Sequence, residues 1–190
     1  SNFLDYAGGY GLFTRLMRDK GFNFYNTDKF CKNLFAEYFD LADLPADTHF
    51  EAVTAFEVLE HLTDPIAEIK QMLQFSENLI FTTELQPPNI KSVTDWSYFS
   101  TETGQHVSFY NIQSLNYIAD QLGYNFYSDG AFIHLLTKKA FNYNPLIPPK
   151  DSFLLRKAKR FINKSERKKT GNLESLLMTD WEYIKNKLNN

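Results

Sequence analysis

A glycine-rich turn, Leu4-Asp5-Tyr6-Ala7-Gly8-Gly9-Tyr10-Gly11, joins the first predicted strand to the first predicted helix. The apolar residues that follow it have helical spacing, and they are Leu12, Phe13, Leu16 and Met17. Glycines at such a junction let the backbone turn sharply and let a ligand approach it closely. In an open parallel sheet, ligands bind just outside the carboxyl ends of the strands. This stretch therefore predicts a ligand site at a strand–turn–helix junction.

An acidic residue at the end of the second predicted strand supports that site. The strand covers Phe22–Asn26, and Asp28 follows it, 17 residues after Gly11. A carboxylate at this place can accept hydrogen bonds from both hydroxyls of a ribose. A dinucleotide fingerprint would need a third glycine where Thr14 stands, and the chain has no Gly-Lys-Ser/Thr sequence. The pattern thus excludes the common dinucleotide and P-loop sites.

Strands and helices alternate through the next hundred residues. Short apolar runs predict strands at Ala52–Phe56 and Leu79–Thr83, and helical spacing follows Asp64-Pro65 and Ile112. Tyr124–Leu136 has the pattern of a hairpin, whereas residues 30–39 fit a helix or a strand equally well. We predict an α/β fold, a doubly wound, mostly parallel seven-stranded sheet with an antiparallel C-terminal hairpin. Residues 1–140 would form this domain, and 141–190 an appended helical tail with helices at Phe153–Ile162 and Leu173–Leu188.

Composition narrows the class of protein. The chain has 190 residues, 43% apolar and 16% aromatic, which is typical of a globular domain with a real core. Cys31 is the single cysteine, so a disulfide framework and a thiolate zinc cluster are excluded. No apolar run approaches the roughly 18 residues of a membrane span. We expect a soluble, cytoplasmic protein.

Charge divides the chain into two parts. Residues 150–190 carry 11 of the 20 basic residues but only 5 of the 23 acidic ones, so the tail is basic and the body acidic. An acidic body argues against a nucleic-acid surface there, whereas a basic tail can fold back onto it or contact a polyanion.

Three motifs in order give the chain a family resemblance. Residues 3–137 resemble the class I S-adenosylmethionine-dependent methyltransferases of the small-molecule branch (methyltransferase types 23 and 11). The glycine turn is similar to the family's first motif, with Ala7 at the place of its usual first glycine. Phe50–Pro65 is similar to the fourth-strand motif, and His106–Tyr110 to the segment before the last helix. The resemblance implies a Rossmann-like methyltransferase fold and an enzyme. Because such domains usually begin with helices, we expect N-terminal helices to be missing here.

The resemblance also implies which residues hold S-adenosylmethionine. Asp28 would bind the ribose, Asp5 and the glycine backbone would face the methionine part, and Asp43-Leu44 would lie near the adenine. The cofactor-binding set predicted in this way is Asp5, Tyr6, Ala7, Gly8, Gly9, Gly11, Asp28, Phe56 and Glu57.

A second group of polar residues could carry the chemistry. Glu57, Glu60 and His61 share one side of a helical turn, because they are spaced i, i+3 and i+4. We predict His106, His61 and Glu60 as catalytic residues, with an imidazole as general base. The Glu-x-x-Glu-His sequence is also similar to metal-binding motifs in ubiquinone-pathway and small-RNA methyltransferases. That resemblance implies a divalent metal (Mg²⁺ or Mn²⁺) on Glu57, Glu60, His61 and His106.

These observations leave three functional hypotheses open. The first is methyl transfer to a small-molecule acceptor such as a sugar or secondary metabolite, on an O, N or C atom. The second is a metal-assisted RNA 2′-O-methyltransferase, and the third a non-catalytic module of the same fold that binds a protein partner. For the first we expect a small-molecule acceptor, no membrane or nucleic-acid partner, and a homodimer formed through the C-terminal helices.

Overall fold

The computed structural model describes residues 1–147 and 173–189. Within them the strands are β1 (Asn2–Tyr6), β2 (Asn23–Thr27), β3 (Ala52–Ala55), β4 (Asn78–Thr82), β5 (Asn125–Ser128) and β6 (Ile133–Thr137). The α-helices are α1 (Leu12–Asp19), α2 (Pro65–Met72), α3 (Ile112–Leu122) and α4 (Leu177–Leu188). Single 3₁₀ turns cover Leu41–Asp43, Leu59–His61, Val93–Asp95 and Ser97–Phe99.

The strands form one sheet in the order β2-β1-β3-β4-β6-β5. β2, β1, β3 and β4 are parallel neighbours, with Leu4 opposite Val53 and Val53 opposite Leu79. β6 inserts antiparallel between β4 and β5. The carboxyl ends of β1, β2, β3 and β4 therefore meet at one edge of the sheet.

One face of the sheet and two helices enclose the main core. Its sheet residues are Leu4, Val53, Ala55, Leu79, Phe81 and Leu136, and its helical residues are Ile69, Met72, Leu115, Ile118 and Ala119. α2 begins where predicted, because the Asp64 carboxylate accepts from Ala67 N at 3.0 Å and Pro65 occupies the first helical position. Gly123 ends α3 in the left-handed region, with φ +69°.

The opposite face carries α1 and the C-terminal helix α4. Phe13 of α1 packs edge-to-face on Phe24 of β2, with ring centroids 5.4 Å apart. Arg18, also on α1, is 4% exposed and forms a bidentate pair with Asp180 of α4, at 2.9 and 2.6 Å. Helices on both faces confirm a doubly wound sheet. The described part of the basic tail packs directly against the sheet domain.

The strand count differs from the prediction: the described residues form six strands, not seven. Between β2 and β3 the chain makes only a single bridge, Asn26 to Asp40, in place of a strand. Asn33 explains this, because its side chain binds the Ala36 carbonyl and amide at 2.7 and 2.9 Å and holds a turn. The predicted helix at Phe153–Ile162 lies outside the described residues. Among the helices that are described, none has the length and apolar character to cross a membrane.

Candidate active site

The glycine turn lies at the carboxyl edge of the sheet and adopts the conformations that its sequence suggests. Ala7, Gly9 and Gly11 have φ of +56°, +57° and +81°. A side-chain carbon at Gly8 would lie 2.1 Å from Asn26 Oδ1, so glycine is required there for space. A carbon at Gly9 would meet no atom within 4 Å, so its backbone faces open space. The main chain at Gly9 is therefore open to a ligand, whereas Gly8 packs closely against the side chains of Asn26 and Asp5.

The Asp28 side chain, just after β2, is hydrogen-bonded to the backbone of the glycine turn. One carboxylate oxygen accepts from Gly9 N at 2.9 Å, and the other accepts from Phe30 N and Cys31 N at 2.7 Å each. This single side chain therefore connects the end of β2 to the turn after β1. The arrangement places an anionic group at the mouth of the turn, as the sequence predicted.

Asp5, predicted to face the cofactor, is buried under the glycine turn and does not line the cavity described below. It is 3% exposed, and Thr54 Oγ1 donates to its Oδ1 at 2.8 Å. Burial raises the pKa of the Asp5 carboxyl to about 7, the Thr54 hydrogen bond acts to lower it, and the nearby Asp28 raises it further. Asp5 thus supports the turn from inside the protein.

A cavity of about 660 Å³ opens between the turn, the end of β3 and helix α2. Five of the predicted site residues line it: Tyr6, Ala7, Asp28, Glu57 and His61. The other lining residues are Thr27, Lys29, Phe30, Val58, Leu62, Thr63, Asp64, Ala67, Glu68, Gln71, Gln74 and Phe75. Phe56 points elsewhere, since its ring packs on Phe13 at 5.0 Å. Asp43 likewise lies apart, ion-paired with Lys187 at 2.8 Å.

None of these twelve other lining residues was predicted from the sequence, and three of them, Lys29, Phe30 and Glu68, bear on ligand binding. Glu68 accepts hydrogen bonds from the Tyr6 hydroxyl and from Lys29 Nζ, the latter at 2.7 Å. Partial burial acts to raise the pKa of Glu68, but the bonds from Lys29 and Tyr6 hold it below its ordinary value. Phe30 is 95% exposed beside Asp28. Lys29 and Phe30 could have been found from the sequence, because they directly follow Asp28 at the end of the second strand.

Glu57 enters the cavity from a strained backbone. Its φ is +54°, unusual for a residue with a side chain. The Thr82 hydroxyl accepts from Glu57 N at 2.8 Å and donates to Glu57 Oε1 at 2.9 Å, which fixes both backbone and side chain. Strain of this kind clusters at functional sites, where the surroundings hold it in place.

Glu60, His61 and His106 come together beside the cavity, and His61 lines it. The Glu60 side chain is fully buried, and its backbone carbonyl accepts from Val107 N and Ser108 N at 2.8 and 3.0 Å. These bonds bring the loop with His106 against the segment with His61, with ring centroids 4.9 Å apart. Burial raises the pKa of the Glu60 carboxyl. The sequence suggested this grouping, and the structure places the three side chains together.

The aromatic loop between β4 and α3 packs mainly on itself. Trp96, Phe99 and Phe109 form a triad with ring centroids 4.9 to 5.6 Å apart, and Trp96 Nε1 donates to Glu84 at 2.7 Å. Tyr98 instead faces the site, its ring 4.5 Å from that of His106 and its hydroxyl 3.3 Å from Thr83 Oγ1. Tyr98 is thus the loop residue in contact with the cluster.

Comparison with known proteins gives a consistent result. A family model described as a methyltransferase domain matches residues 1–128. No curated protein sequence matches the chain. Among solved structures, the chain resembles a possible histamine N-methyltransferase from Thermotoga maritima (14% identity, TM-score 0.51, covering 73% of this chain and 82% of that one).

Two further solved structures have the same fold. One is CalO1, a methyltransferase of calicheamicin biosynthesis solved with S-adenosylhomocysteine (13% identity, TM-score 0.51). The other is the O-methyltransferase NcsB1 of neocarzinostatin biosynthesis, solved with S-adenosylhomocysteine and a dihydroxynaphthoic acid (13% identity, TM-score 0.51). Each match covers 73% of this chain and 49% of the other. At these identities the likeness establishes a shared fold.

Proposed function

We propose, since the chain belongs to the class I S-adenosylmethionine-dependent methyltransferases, that it transfers a methyl group from S-adenosylmethionine to a small-molecule acceptor by in-line displacement. The observation that carries this proposal is Asp28, which lines the cavity and joins the end of β2 to Gly9 of the glycine turn. That arrangement offers a ribose-binding carboxylate and a main chain free for close approach in one place.

The residues present fit the methyl donor. Gly9 has free space where a side chain would otherwise stand. Asp28 and Glu57 both line the cavity. S-adenosylmethionine would supply a methyl group made electrophilic by its sulfonium. In our proposal Asp28 binds the ribose, the turn from Ala7 to Gly11 faces the methionine part, and Phe30 offers an exposed ring for the base.

The acceptor would lie toward the ends of β3 and β4, where His61 and His106 are. Both rings contact a backbone carbonyl through Nδ1, at 3.0 Å from Gln105 O and 2.5 Å from Tyr98 O. Since a carbonyl oxygen can only accept, each Nδ1 carries a hydrogen, and in the neutral form of each ring Nε2 is the acceptor. A neutral imidazole with a free Nε2 can accept the proton of an acceptor hydroxyl or amine. We propose His106 and His61 for that role, with the buried Glu60 beside them.

A small acceptor is favoured over RNA by size and charge. A cavity of about 660 Å³ is in the range of small-molecule sites. Its described walls carry the acidic Asp28, Glu57, Asp64 and Glu68, with Lys29 paired to Glu68. Polyanion binding would need basic groups near the site. The acceptor, in our proposal, is neutral or cationic.

Calorimetric titration with S-adenosylhomocysteine tests the proposal. We expect the wild type to bind one equivalent and Asp28→Ala to lose about tenfold or more in affinity, because a charged hydrogen-bond acceptor is removed. Asp28→Asn keeps an acceptor for Phe30 N and Cys31 N but loses the one for Gly9 N, so the melting temperatures of both variants separate a loss of binding from a loss of structure. Asp47→Ala, at an exposed loop position, is the matched control. Unchanged affinity in both Asp28 variants would overturn the proposed site.

A further inference from the structure

Three polar side chains form a buried row across β2, β1 and β3, directly under the glycine turn. Asp5 of β1 lies opposite Asn26 of β2 and opposite Thr54 of β3, so the three side chains share one face of the sheet. They are only 1 to 4% exposed. A buried polar group without a hydrogen-bond partner costs free energy, so each atom of the row needs one.

One half of the row has its hydrogen bond in place, and the other half does not. Thr54 Oγ1 donates to Asp5 Oδ1 at 2.8 Å. Asn26 Oδ1, by contrast, has no hydrogen-bond partner among the described residues. Asn26 Oδ1 and Asp5 Oδ2 lie 2.1 and 2.4 Å from the point at which a Gly8 Cβ would stand. Two acceptor oxygens are therefore neighbours beneath Gly8.

The nitrogen of the Asn26 amide fixes the orientation of the group. Nδ2 donates to the Gly9 carbonyl oxygen at 3.4 Å, and the Asn26 side chain also hydrogen-bonds the Asp40 carboxyl. Exchanging the amide oxygen and nitrogen would place the oxygen against both of these acceptors. Oδ1 therefore faces Asp5, and the donor that it needs has to come from Asp5. A carboxyl can supply one, because its protonated form has an O–H group.

The charges around Asp5 favour the protonated carboxyl. Burial raises the pKa of Asp5 to about 7, the Thr54 hydrogen bond acts to lower it, and the negative charge of Asp28 acts to raise it. The two arginines of α1, the helix over this face, are Arg15 and Arg18, and both are paired with Asp180. This helix therefore does not supply a positive charge that would keep Asp5 ionised.

We propose that Asn26 is a positioning residue for the glycine turn, and that it acts through a hydrogen bond from the protonated Asp5 carboxyl to its amide oxygen. The amide oxygen is then held by Asp5, and the amide nitrogen holds the carbonyl of Gly9. Asp28 accepts from the N–H of Gly9 at 2.9 Å. Both polar groups of the Gly9 backbone are therefore fixed by side chains from β2 and from the loop after it.

This inference rests on the proposed function, in which the glycine turn faces the methyl donor, and it makes binding of the donor depend on one proton. Ionisation of Asp5 would remove the O–H donor and leave a carboxylate against the amide oxygen of Asn26. The amide would then turn away, and the Gly9 carbonyl would lose its donor. The affinity for S-adenosylhomocysteine should therefore be highest below pH 7 and should fall as the pH rises through 7.

Calorimetric titration with S-adenosylhomocysteine at pH 6 and pH 8 tests the inference. The wild type should bind about tenfold more weakly at pH 8, because the protonated fraction of a carboxyl with a pKa of about 7 falls by about that factor. Asp5→Asn keeps a donor for Asn26 Oδ1 at every pH, so it should bind at both pH values as the wild type does at pH 6. Asp120→Asn, at an exposed position on α3, is the matched control and should show the wild-type dependence.

Two further measurements test the Asn26 side of the contact. Asn26→Leu, similar in size but without an amide, should bind S-adenosylhomocysteine about fivefold to tenfold more weakly at pH 6, because the Gly9 carbonyl loses its donor. Melting temperatures report whether each variant is folded. An infrared comparison at pH 6 should show the carbonyl stretch of a protonated carboxyl in the wild type, and this band should be missing from Asp5→Asn.

The outcomes separate this inference from the proposed function. Equal wild-type affinity at the two pH values, or the same loss in Asp5→Asn as in the wild type, would overturn the inference and leave the proposed function standing. Weak binding by Asp5→Asn at both pH values would mean that the charge of Asp5 itself serves the cofactor, which would also overturn it. A wild type that binds at neither pH contradicts the proposed function, and the infrared comparison then decides whether Asp5 carries the proton.

Discussion

Asp5 shows how burial sets the behaviour of one residue. The free energy of ionising it is higher in the folded chain, since its pKa is about 7 against an ordinary 3.8. The folded state therefore binds this proton more strongly than the unfolded state does. The stabilisation is complete below about pH 4 and is lost as the pH rises to about 7.

We predict that Asp5→Asn flattens this dependence. Between pH 5 and pH 8 the wild type should lose roughly 2 kcal/mol more unfolding free energy than the variant, since only the wild type has an Asp5 carboxyl to ionise. Urea unfolding of both proteins at the two pH values measures the difference. If the unfolding free energies of the two proteins change equally between pH 5 and pH 8, Asp5 is ionised at both pH values and its burial is compensated in another way.

Gly8 and Gly9 have adjacent positions but different constraints. A methyl group at Gly8 would collide with Asn26 Oδ1 at 2.1 Å and Asp5 Oδ2 at 2.4 Å, whereas one at Gly9 would enter open space at a φ of +57°. Ala7, at φ +56°, shows that alanine is tolerated at such an angle.

From this contrast we predict that Gly8→Ala mainly lowers stability and that Gly9→Ala mainly weakens ligand binding. Gly8→Ala should destabilise the protein by about 1–3 kcal/mol through overpacking. Gly9→Ala should cost about 1 kcal/mol for its positive φ and should mainly weaken S-adenosylhomocysteine binding, because the methyl group fills the approach to the backbone. Thermal melts and calorimetry measure the two effects separately. If Gly9→Ala binds S-adenosylhomocysteine as tightly as the wild type does, the glycine turn is not part of the cofactor site.

At the scale of elements, the buried Asp180 carboxylate attaches α4 to two arginines of α1. Asp180 is 2% exposed and accepts from Arg18 in a bidentate pair and from Arg15 at 2.9 Å. The Arg18 guanidinium also lies over the Phe39 ring, 3.7 Å from its centroid. Gly21 lies close to Leu173 at the start of this segment, with no space for a side chain. The C-terminal helix is thereby fastened to α1 and to the edge of the sheet.

Asp180→Asn should therefore be strongly destabilising. Removing one partner leaves the Arg18 charge buried and uncompensated, which costs about 3–5 kcal/mol. Lys187→Ala, also on α4, breaks the more exposed pair with Asp43 and should cost much less than Asp180→Asn. Denaturant unfolding compares the two variants. Similar small losses in both would show that α4 contributes little to the stability of the fold.

At the scale of the whole molecule, α4 leaves apolar side chains exposed on its outer face. Leu177, Met178, Trp181 and Leu188 are 54–67% exposed. Beside them, Leu34 and Phe35 line a groove of about 310 Å³ with Ile184 and Leu188. An amphipathic helix and an adjacent apolar groove on one surface are self-complementary in a twofold arrangement. We propose a second copy of the chain as the partner of this surface.

Sedimentation over a range of concentrations tests that proposal. The wild type should pass from monomer to dimer as its concentration rises, and Trp181→Glu should shift this equilibrium to the monomer, since a charge would be buried at the interface. Tyr117→Glu, at a 60% exposed position on α3, is the control and should dimerise normally. A wild type that stays monomeric throughout would overturn it.

Most of the fold could be predicted from the sequence. The turn after β1, the end of β2 just before Asp28, the capped start of α2 and the pairing of β5 with β6 all depend on neighbours within a few residues, and the structure has each of them at the predicted place. The resemblance to class I methyltransferases is likewise confirmed, and the chain is an S-adenosylmethionine-dependent methyltransferase by family. Local patterns sufficed here because hydrophobic periodicity, turn residues and helix caps act over short distances along the chain.

Only the tertiary structure decided which distant groups meet. It pairs Arg18 with Asp180 across 162 positions, brings His106 to His61, and buries the Glu60 side chain. It also turns residues 30–39 away from a strand, through the Asn33 side chain. No local pattern encodes these results, because burial and pairing depend on which side chains the packed sheet and helices bring within a few ångströms of each other.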